Sequence, residues 1–524
     1  MLFNSYGFIL FFLPICLLGY FLLGRKGGSR LAFAWLAGCS LLFYGAWNVA
    51  YPFILLGSVG FNFFLGQRLA KKGGNPFSRK MLLGLGIGGN LLLLGYCKYV
   101  NFFIESISSF WSPNFSSLQV MLPLAVSFFS FQQIAYLVDS AQGKTEAHTF
   151  LDYLLFVSFF PKLTAGPIVT YGEMFPQLTR PDICRFRPEN LAVGLTIFSV
   201  GLFKKVIVAE QAARYANPLF GAAFNGVSTS FFEAWGGVLA YSFQIYFDFS
   251  GYSDMAIGLA RMFGFVLPEN FNSPYKSRSI TEFWRCWHIS LSNFLKRYIY
   301  IPLGGNRLGS IRKHLNLMIT MVLAGAWHGA GWTFVVWGGM HGAFLVINNI
   351  WHGWHQAIAS RWRVLRGGAY DRFACLVTFL AVSVAWVFFR AENMATSFSV
   401  LGSLFGRHGF AMPYDFQEKL NAFLKIGDLL AALGVPFTSA HGLLEKKQLV
   451  LLALMGGAVS LLPNTQQIME LAKPGLNITA SPLPGRLGFA RWRPNNIFLL
   501  ITLVLFLVSF LTITQKSEFI YFRF

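Results

Sequence analysis

The chain has nine histidines in 524 residues, and three stand where an imidazole could do chemistry. His328 lies in Gly325-Ala326-Trp327-His328-Gly329-Ala330-Gly331-Trp332, inside an apolar run. If the run starts near His314, His328 is ~21 Å along a helix rising 1.5 Å per residue, within the thickness of bilayer hydrocarbon. An ionisable side chain at that depth is costly and marks a functional site by default, and a neutral imidazole is what a general base requires. The alternative is a histidine bonded to a neighbouring helix for structure alone. His288 lies forty residues earlier, in Thr281-Glu282-Phe283-Trp284-Arg285-Cys286-Trp287-His288-Ile289-Ser290-Leu291. It could orient a substrate or hold a thioester group, or simply sit in an aromatic belt at the headgroup level. His341, thirteen residues beyond His328, reads as structural.

Two carboxylates share an apolar stretch, Tyr246-Phe247-Asp248-Phe249-Ser250-Gly251-Tyr252-Ser253-Asp254. Buried carboxylates are rarely unpaired. Asp248 and Asp254 therefore either pair with nearby basic residues or orient an imidazole. Trp327 and Trp287, each directly before a histidine, are read as supporting residues. No H-x-x-x-H or H-E-x-x-H pattern points to a metal, and no G-x-x-x-x-G-K-[ST] loop points to nucleotide hydrolysis. Cys16, Cys39, Cys97, Cys184, Cys286 and Cys375 are scattered, without a zinc pattern or a disulfide framework; Cys286 reads as a packing residue.

The elements that must hold these residues are set by composition. Charged residues make up 12% and hydrophobic ones 55%, against a charged fraction near 25% in soluble domains, so the chain reads as a polytopic membrane protein. Apolar runs at about 2–24, 31–49, 51–66, 81–97, 119–138, 191–213, 231–250, 314–329, 331–351, 373–389, 447–463 and 495–514 give an expectation of 11–12 transmembrane helices. The net charge of +21 fits basic cytoplasmic loops facing anionic lipid better than nucleic-acid binding. Arg25, Lys26 and Arg30 in one loop and Arg68, Lys71, Lys72, Arg79 and Lys80 in another are two spans apart, which puts the N-terminus outside. The first run, without a basic leader or cleavage site, reads as a retained span.

The apolar run 151–169 breaks this alternation. It holds Pro161, Lys162, Gly166 and Pro167, and a re-entrant segment restores the parity. Broken backbone at membrane depth is tolerated only where it is buried in protein or lines a wet cavity. The stretch 261–313 mixes Arg278, Arg285, Arg297, Arg312 and other basic residues with tryptophans and tyrosines, the composition of a helix at the cytoplasmic interface. A hydrophilic insert at about 406–446 reads as extracytoplasmic and partly helical.

Several segments in fixed order carry a resemblance: Phe247-Asp248-Phe249-Ser250-Gly251-Tyr252-Ser253-Asp254-Met255-Ala256-Ile257-Gly258, Glu269-Asn270-Phe271-Asn272, Phe283-Trp284-Arg285, Trp287-His288-Ile289-Ser290-Leu291, Tyr300-Ile301-Pro302-Leu303-Gly304-Gly305-Asn306-Arg307 and Trp327-His328-Gly329. With Gly166-Pro167 and Phe389-Arg390-Ala391-Glu392, they make the chain resemble the membrane-bound O-acyltransferase superfamily, in its bacterial alginate O-acetylase branch. The sequence departs from that pattern at Arg285-Cys286, in place of two arginines, and at Lys296-Arg297-Tyr298, in place of Arg-Asp-Tyr.

The resemblance implies one membrane domain over 1–524, with the catalytic motifs at about 120–390. It implies an all-α fold with re-entrant and interfacial helices around a central funnel or tunnel. It also implies transfer of an acetyl group from a cytoplasmic thioester, across the inner membrane of a bacterium, to an exported polysaccharide such as alginate, another exopolysaccharide or peptidoglycan. His328 matches the family's active-site histidine and His288 its second histidine-or-asparagine position. Acetyl-CoA is the expected donor, with Arg278, Arg285 and Arg312 attracting its phosphates. A periplasmic SGNH or esterase-like partner is expected, and no bound cofactor. The rival readings are a flippase for a lipid-linked sugar and a membrane scaffold for a periplasmic acetylase.

Overall fold

The computed structural model describes residues 1–71, 75–111, 123–358, 367–414, 417–418, 421, 426–438, 443–476, 483 and 485–513. The chain is an all-α polytopic membrane protein. Among the described residues, strand pairing is limited to two residues on each side, Met412–Pro413 running parallel to Phe437–Thr438. That pair and the helix Ile426–Ala432 lie in the hydrophilic insert, part of which falls outside the described residues.

Six helical stretches among the described residues are long and apolar enough to cross a membrane: Phe8–Gly45, Tyr51–Ala70, Pro76–Ser108, Pro188–Phe224, Trp332–His355 and Gly368–Arg390. The first is two helices. Gly28 breaks it with φ 77° and ψ 178°, and Trp35 Nε1 donates to Cys16 O at 3.1 Å. Those residues would be ~28 Å apart along a straight helix, so the chain folds back on itself at the basic loop. Two further long helices, Phe231–Met262 with 32 residues and Gly309–His328 with 20, carry more polar residues. Their Asn, Thr and carboxylate side chains are mostly buried, so they face protein rather than lipid.

The run 151–169 is not a spanning helix. It forms Phe150–Ser158 and then Phe160–Leu163, broken at Phe159 beside Pro161, and residues 153–169 are buried throughout. A nine-residue helix rises only ~14 Å, too short to cross. Ser40 Oγ accepts from the Phe160 N–H at the break (3.1 Å), which satisfies a backbone donor the broken helix leaves over. The stretch 261–313 is a series of short pieces: a turn at Pro274–Lys276, helices Ile280–Cys286 and Ile289–Leu295, and a π-helical turn at Lys296–Tyr300. Gly309–His328 follows.

The chain divides into two compact units. One comprises Met1–Phe203, Ser250–Asn270 and Thr465–Arg523. Its small residues allow close helix packing, and Thr196 and Thr502 join the Pro188–Phe203 and Asn496–Leu511 helices through their hydroxyls (3.2 Å). The other comprises Lys204–Phe249 and Phe271–Asn464 and contains both candidate histidines.

In that second unit, Gly309–His328 and Trp332–Ile358 run antiparallel, and Lys313 Nζ donates to Asn349 Oδ1 at 3.1 Å. They cross at glycine on glycine. A Cβ on Gly325 would meet Phe334 O at 2.2 Å and Gly338 Cα at 3.0 Å; one on Gly338 would meet Met321 O at 2.3 Å. Small residues let backbones approach, which is how helices associate where lipid removes the hydrophobic drive between them. Replacing Gly338 with Val should separate the two helices and abolish the monodisperse peak of detergent-purified protein in fluorescence-detected gel filtration. The same change at Gly339, where an added Cβ meets nothing within 4 Å, should leave that peak in place.

Candidate active site

His328 is the last residue of its helix, ~28 Å from Gly309 along the axis. That is deeper than the ~21 Å expected from a start near His314, because the helix begins five residues earlier. His328 is 4% exposed. Gly329 turns the chain into extended backbone, and the next helix returns Trp337 against the histidine. The Trp337 ring stands at 89° to the His328 ring with centroids 5.2 Å apart, and Phe389 closes another side at 5.3 Å.

His288 is delivered differently. It has φ 44° and ψ 54°, left-handed backbone, at the start of the Ile289–Leu295 helix. That conformation costs a non-glycine residue roughly 1–2 kcal/mol and persists only where the surroundings impose it. Here they do. Trp287 N–H donates to Phe283 O at 2.8 Å, Asn272 N–H donates to Cys286 O at 2.9 Å, and His288 O accepts from Ser292 N–H at 3.0 Å. The ring is fully buried, edge-on to Phe249 at 4.8 Å. Burial pushes the His288 imidazole down to about 3, so it is neutral at physiological pH.

The two rings lie 6.3 Å apart, centroid to centroid. Trp327 completes the group, 6.2 Å from His288. Trp287 stacks near Phe283 (5.6 Å) and packs on Trp386 (4.9 Å), forming the wall behind His288.

His341, read as structural, is fully buried one layer further in. Trp284 Nε1–H donates to its Nδ1 at 3.2 Å, which fixes the neutral tautomer with the proton on Nε2. Trp337 stands between His341 and His328, 4.9 Å from the former. Trp284 and Phe389 lay inside the ordered motifs with no role assigned, and Trp337 was not singled out from the sequence. The signal available was the four-residue spacing of Trp337 and His341, which puts both on one helical face.

The carboxylates separate. Phe231–Met262 is continuous through both, so Asp248 and Asp254 lie mid-helix rather than near a span end. Six residues apart, they point to different sides. Asp248 is ion-paired with Lys205, which sits in a π-helical turn at Lys204–Ala209, and both are buried. Asp254 belongs to the other unit, where its carboxylate accepts from Thr465 Oγ1 (2.7 Å) and Gln466 Nε2 (3.4 Å). Lys205 was not singled out from the sequence, although it stands inside the apolar run 191–213, where an ionisable residue marks a site by default.

The arginines are on the outside. Arg278 is bonded to Asp371 at 2.9 Å, while Arg285 and Arg312 are exposed. Cys286 is half-buried, and Arg297 lies over the Tyr298 ring at 5.2 Å.

Comparison with known proteins adds a second line. A model of the membrane-bound O-acyltransferase family matches residues 100–389. The chain is 42% identical to a peptidoglycan O-acetyltransferase of Helicobacter pylori, over 82% of this chain and 84% of that protein. It is 39% identical to a probable alginate O-acetylase of Pseudomonas aeruginosa, over 77% and 75% of the two chains. A teichoic acid D-alanyltransferase of Streptococcus thermophilus is 28% identical over 46% of this chain and 60% of its own length.

Two predictions follow from the geometry. Lys205→Met strands a buried carboxylate and should cost about 3–5 kcal/mol, read as a lowered melting temperature in detergent; adding Asp248→Asn should recover part of it. His288 sets the second. Its folded pKa is about 3 against about 6.5 unfolded, so the unfolded chain binds the extra proton between those values. Its contribution to stability is therefore intact above about pH 6.5 and lost as the pH falls toward 3. His288→Asn should flatten that part of the melting-temperature profile.

Proposed function

The chain belongs to the membrane-bound O-acyltransferase family and is an O-acyltransferase, and from that premise we propose that it moves an acetyl group from a cytoplasmic thioester to an exported polysaccharide. The observation that carries the reading is the pair of buried imidazoles, His288 and His328, 6.3 Å apart between aromatic walls. One stands at the far end of a 20-residue helix and the other on imposed left-handed backbone.

In this reading the donor is acetyl-CoA and the protein sits in the cytoplasmic membrane of a bacterium. Arg285 and Arg312, exposed on the basic segment, attract the donor's phosphates; Arg278 contributes less, being committed to Asp371. His328 acts as general base. It takes the proton of an acceptor hydroxyl as that oxygen attacks the thioester carbonyl carbon. The carbon–sulfur bond then breaks, and the thiolate leaves with a proton returned by the imidazolium. A positioned base of this kind is worth about 10²–10⁴-fold in rate. His288, held neutral, orients the acyl group, and Trp287 and Trp327 keep both rings in place. Asp248 supports the arrangement through Lys205, and Asp254 supports its own unit rather than an imidazole.

The depth of His328, ~28 Å from the basic start of its helix, suits an acceptor arriving from the extracytoplasmic side, with the acetyl group crossing and CoA staying inside. The acceptor is alginate, another exopolysaccharide or peptidoglycan, by likeness to the proteins named above. A periplasmic esterase-like partner passes the group on when the polysaccharide does not reach the site itself.

The test is transfer of radiolabelled acetyl from acetyl-CoA by purified protein in proteoliposomes, with candidate glycans or partner supplied outside. Wild type should move label across and onto an acceptor hydroxyl. His328→Ala and His328→Asn should reduce transfer at least about 10²-fold while keeping wild-type gel-filtration behaviour. Label remaining on CoA in the wild type under every acceptor condition, or full transfer by the His328 variants, would overturn the reading.

A further inference from the structure

Outside the histidine site, the Trp332–Ile358 and Gly368–Arg390 helices enclose a groove of about 520 Å³. Its two ends differ in chemistry. One is polar, with Arg278, His355 and Tyr370; beyond it the walls are mainly apolar, with Ile347, Phe373 and Val377, interrupted by Asn348 and Thr378. From Tyr370 to Ala381, the last lining residue on its helix, the groove follows eleven residues, ~16 Å of helix.

The apolar lips face outward. Ile347 is 62% exposed, Phe373 64% and Val377 48%, and they stand on two helices apolar and long enough to cross a bilayer. Trp351 and Trp354, also exposed, lie near the polar end, at the level where tryptophans mark a membrane interface. The polar end is the basic one. Lys313 bonds Asn349, which sets the Arg312-Lys313 start of its helix beside it. Basic ends of this kind face the cytoplasmic leaflet, where anionic lipids are concentrated.

We infer that this groove holds an anionic phospholipid of the cytoplasmic leaflet. One acyl chain lies along Ile347, Phe373 and Val377, and the phosphate meets Arg278, His355 and Tyr370. The Arg278 guanidinium has five N–H donors, and Asp371 takes Nη1; the pair fixes its direction while leaving donors for the phosphate. Ser279, Asn348 and Thr378 also line the groove, but Asn348 Nδ2 is committed to Thr281 Oγ1 (2.8 Å) and the outward lips are apolar. An acyl chain suits those lips, whereas the amides of a pantetheine arm would be buried against them at a cost.

The test uses the full chain in mild detergent, incubated with phosphatidylglycerol or phosphatidylcholine of the same acyl chains and read by native mass spectrometry. Wild type should retain phosphatidylglycerol at least about five-fold better than phosphatidylcholine. Val377→Trp, which fills the groove, should lose that preference, while Leu507→Trp on another exposed apolar helix face should keep it. Equal retention of the two lipids, or an unchanged preference in Val377→Trp, overturns the inference. So does displacement of phosphatidylglycerol by acetyl-CoA, which would make the groove a donor site. A readout independent of any variant is crosslinking of wild type by phosphatidylglycerol carrying a diazirine in one chain. Label should concentrate in the peptides around 344–351 and 373–381, and an even spread over the exposed apolar helices overturns the proposal.

Discussion

The contact on which the histidine site depends is a backbone crossing, Gly325 against Gly338. Side chains there would force the two helices apart, and separation would take Trp337 away from His328. Close approach of backbones replaces the hydrophobic drive that lipid removes. It also turns a helix end into a defined position, because the chain leaves His328 through Gly329 and is back beside it as Trp337 within nine residues. The site is thus a product of a tight helical hairpin, with Phe389 of a third helix packed against the same histidine.

Around that hairpin, the imidazoles are packed against aromatic rings. Trp284 bonds His341 and fixes its tautomer; Trp337 spans the gap to His328; Phe249 holds His288 edge-on. Edge-to-face geometry suits rings whose faces are electron-rich and whose edges are positive. Charges are kept apart from this cluster by pairing. Lys205 and Asp248 neutralise one another in a buried setting where an isolated charge would be prohibitive, and Asp254 is held by neutral donors. Two carboxylates six residues apart in one motif therefore serve separate structural ends.

The broken segment around Pro161 shows the same accounting applied to backbone. A helix interrupted in a buried place leaves amide groups over, and Ser40 accepts from one of them across more than a hundred residues of sequence. The left-handed His288 is the corresponding case in the other unit, with hydrogen bonds on both flanks imposing a conformation the residue does not prefer.

Composition and periodicity determined the class. Low charge, long apolar runs and basic loops specify membrane-crossing helices because a continuous apolar run satisfies its own backbone in the bilayer only as a helix, a barrel strand being short and alternating, and the proline-interrupted run at 151–169 announced its own break. The ordered motifs also singled out His288 and His328. Tertiary structure alone decided the rest. The glycine crossing brought Trp337 back against His328; the continuity of Phe231–Met262 sent Asp248 and Asp254 to different partners; Lys205 and Trp284 entered through contacts tens of residues distant along the chain. The reason is physical: hydrophobicity is a property of a residue that can be summed along a sequence, whereas a pairing is a property of two residues that only the folded chain brings within reach.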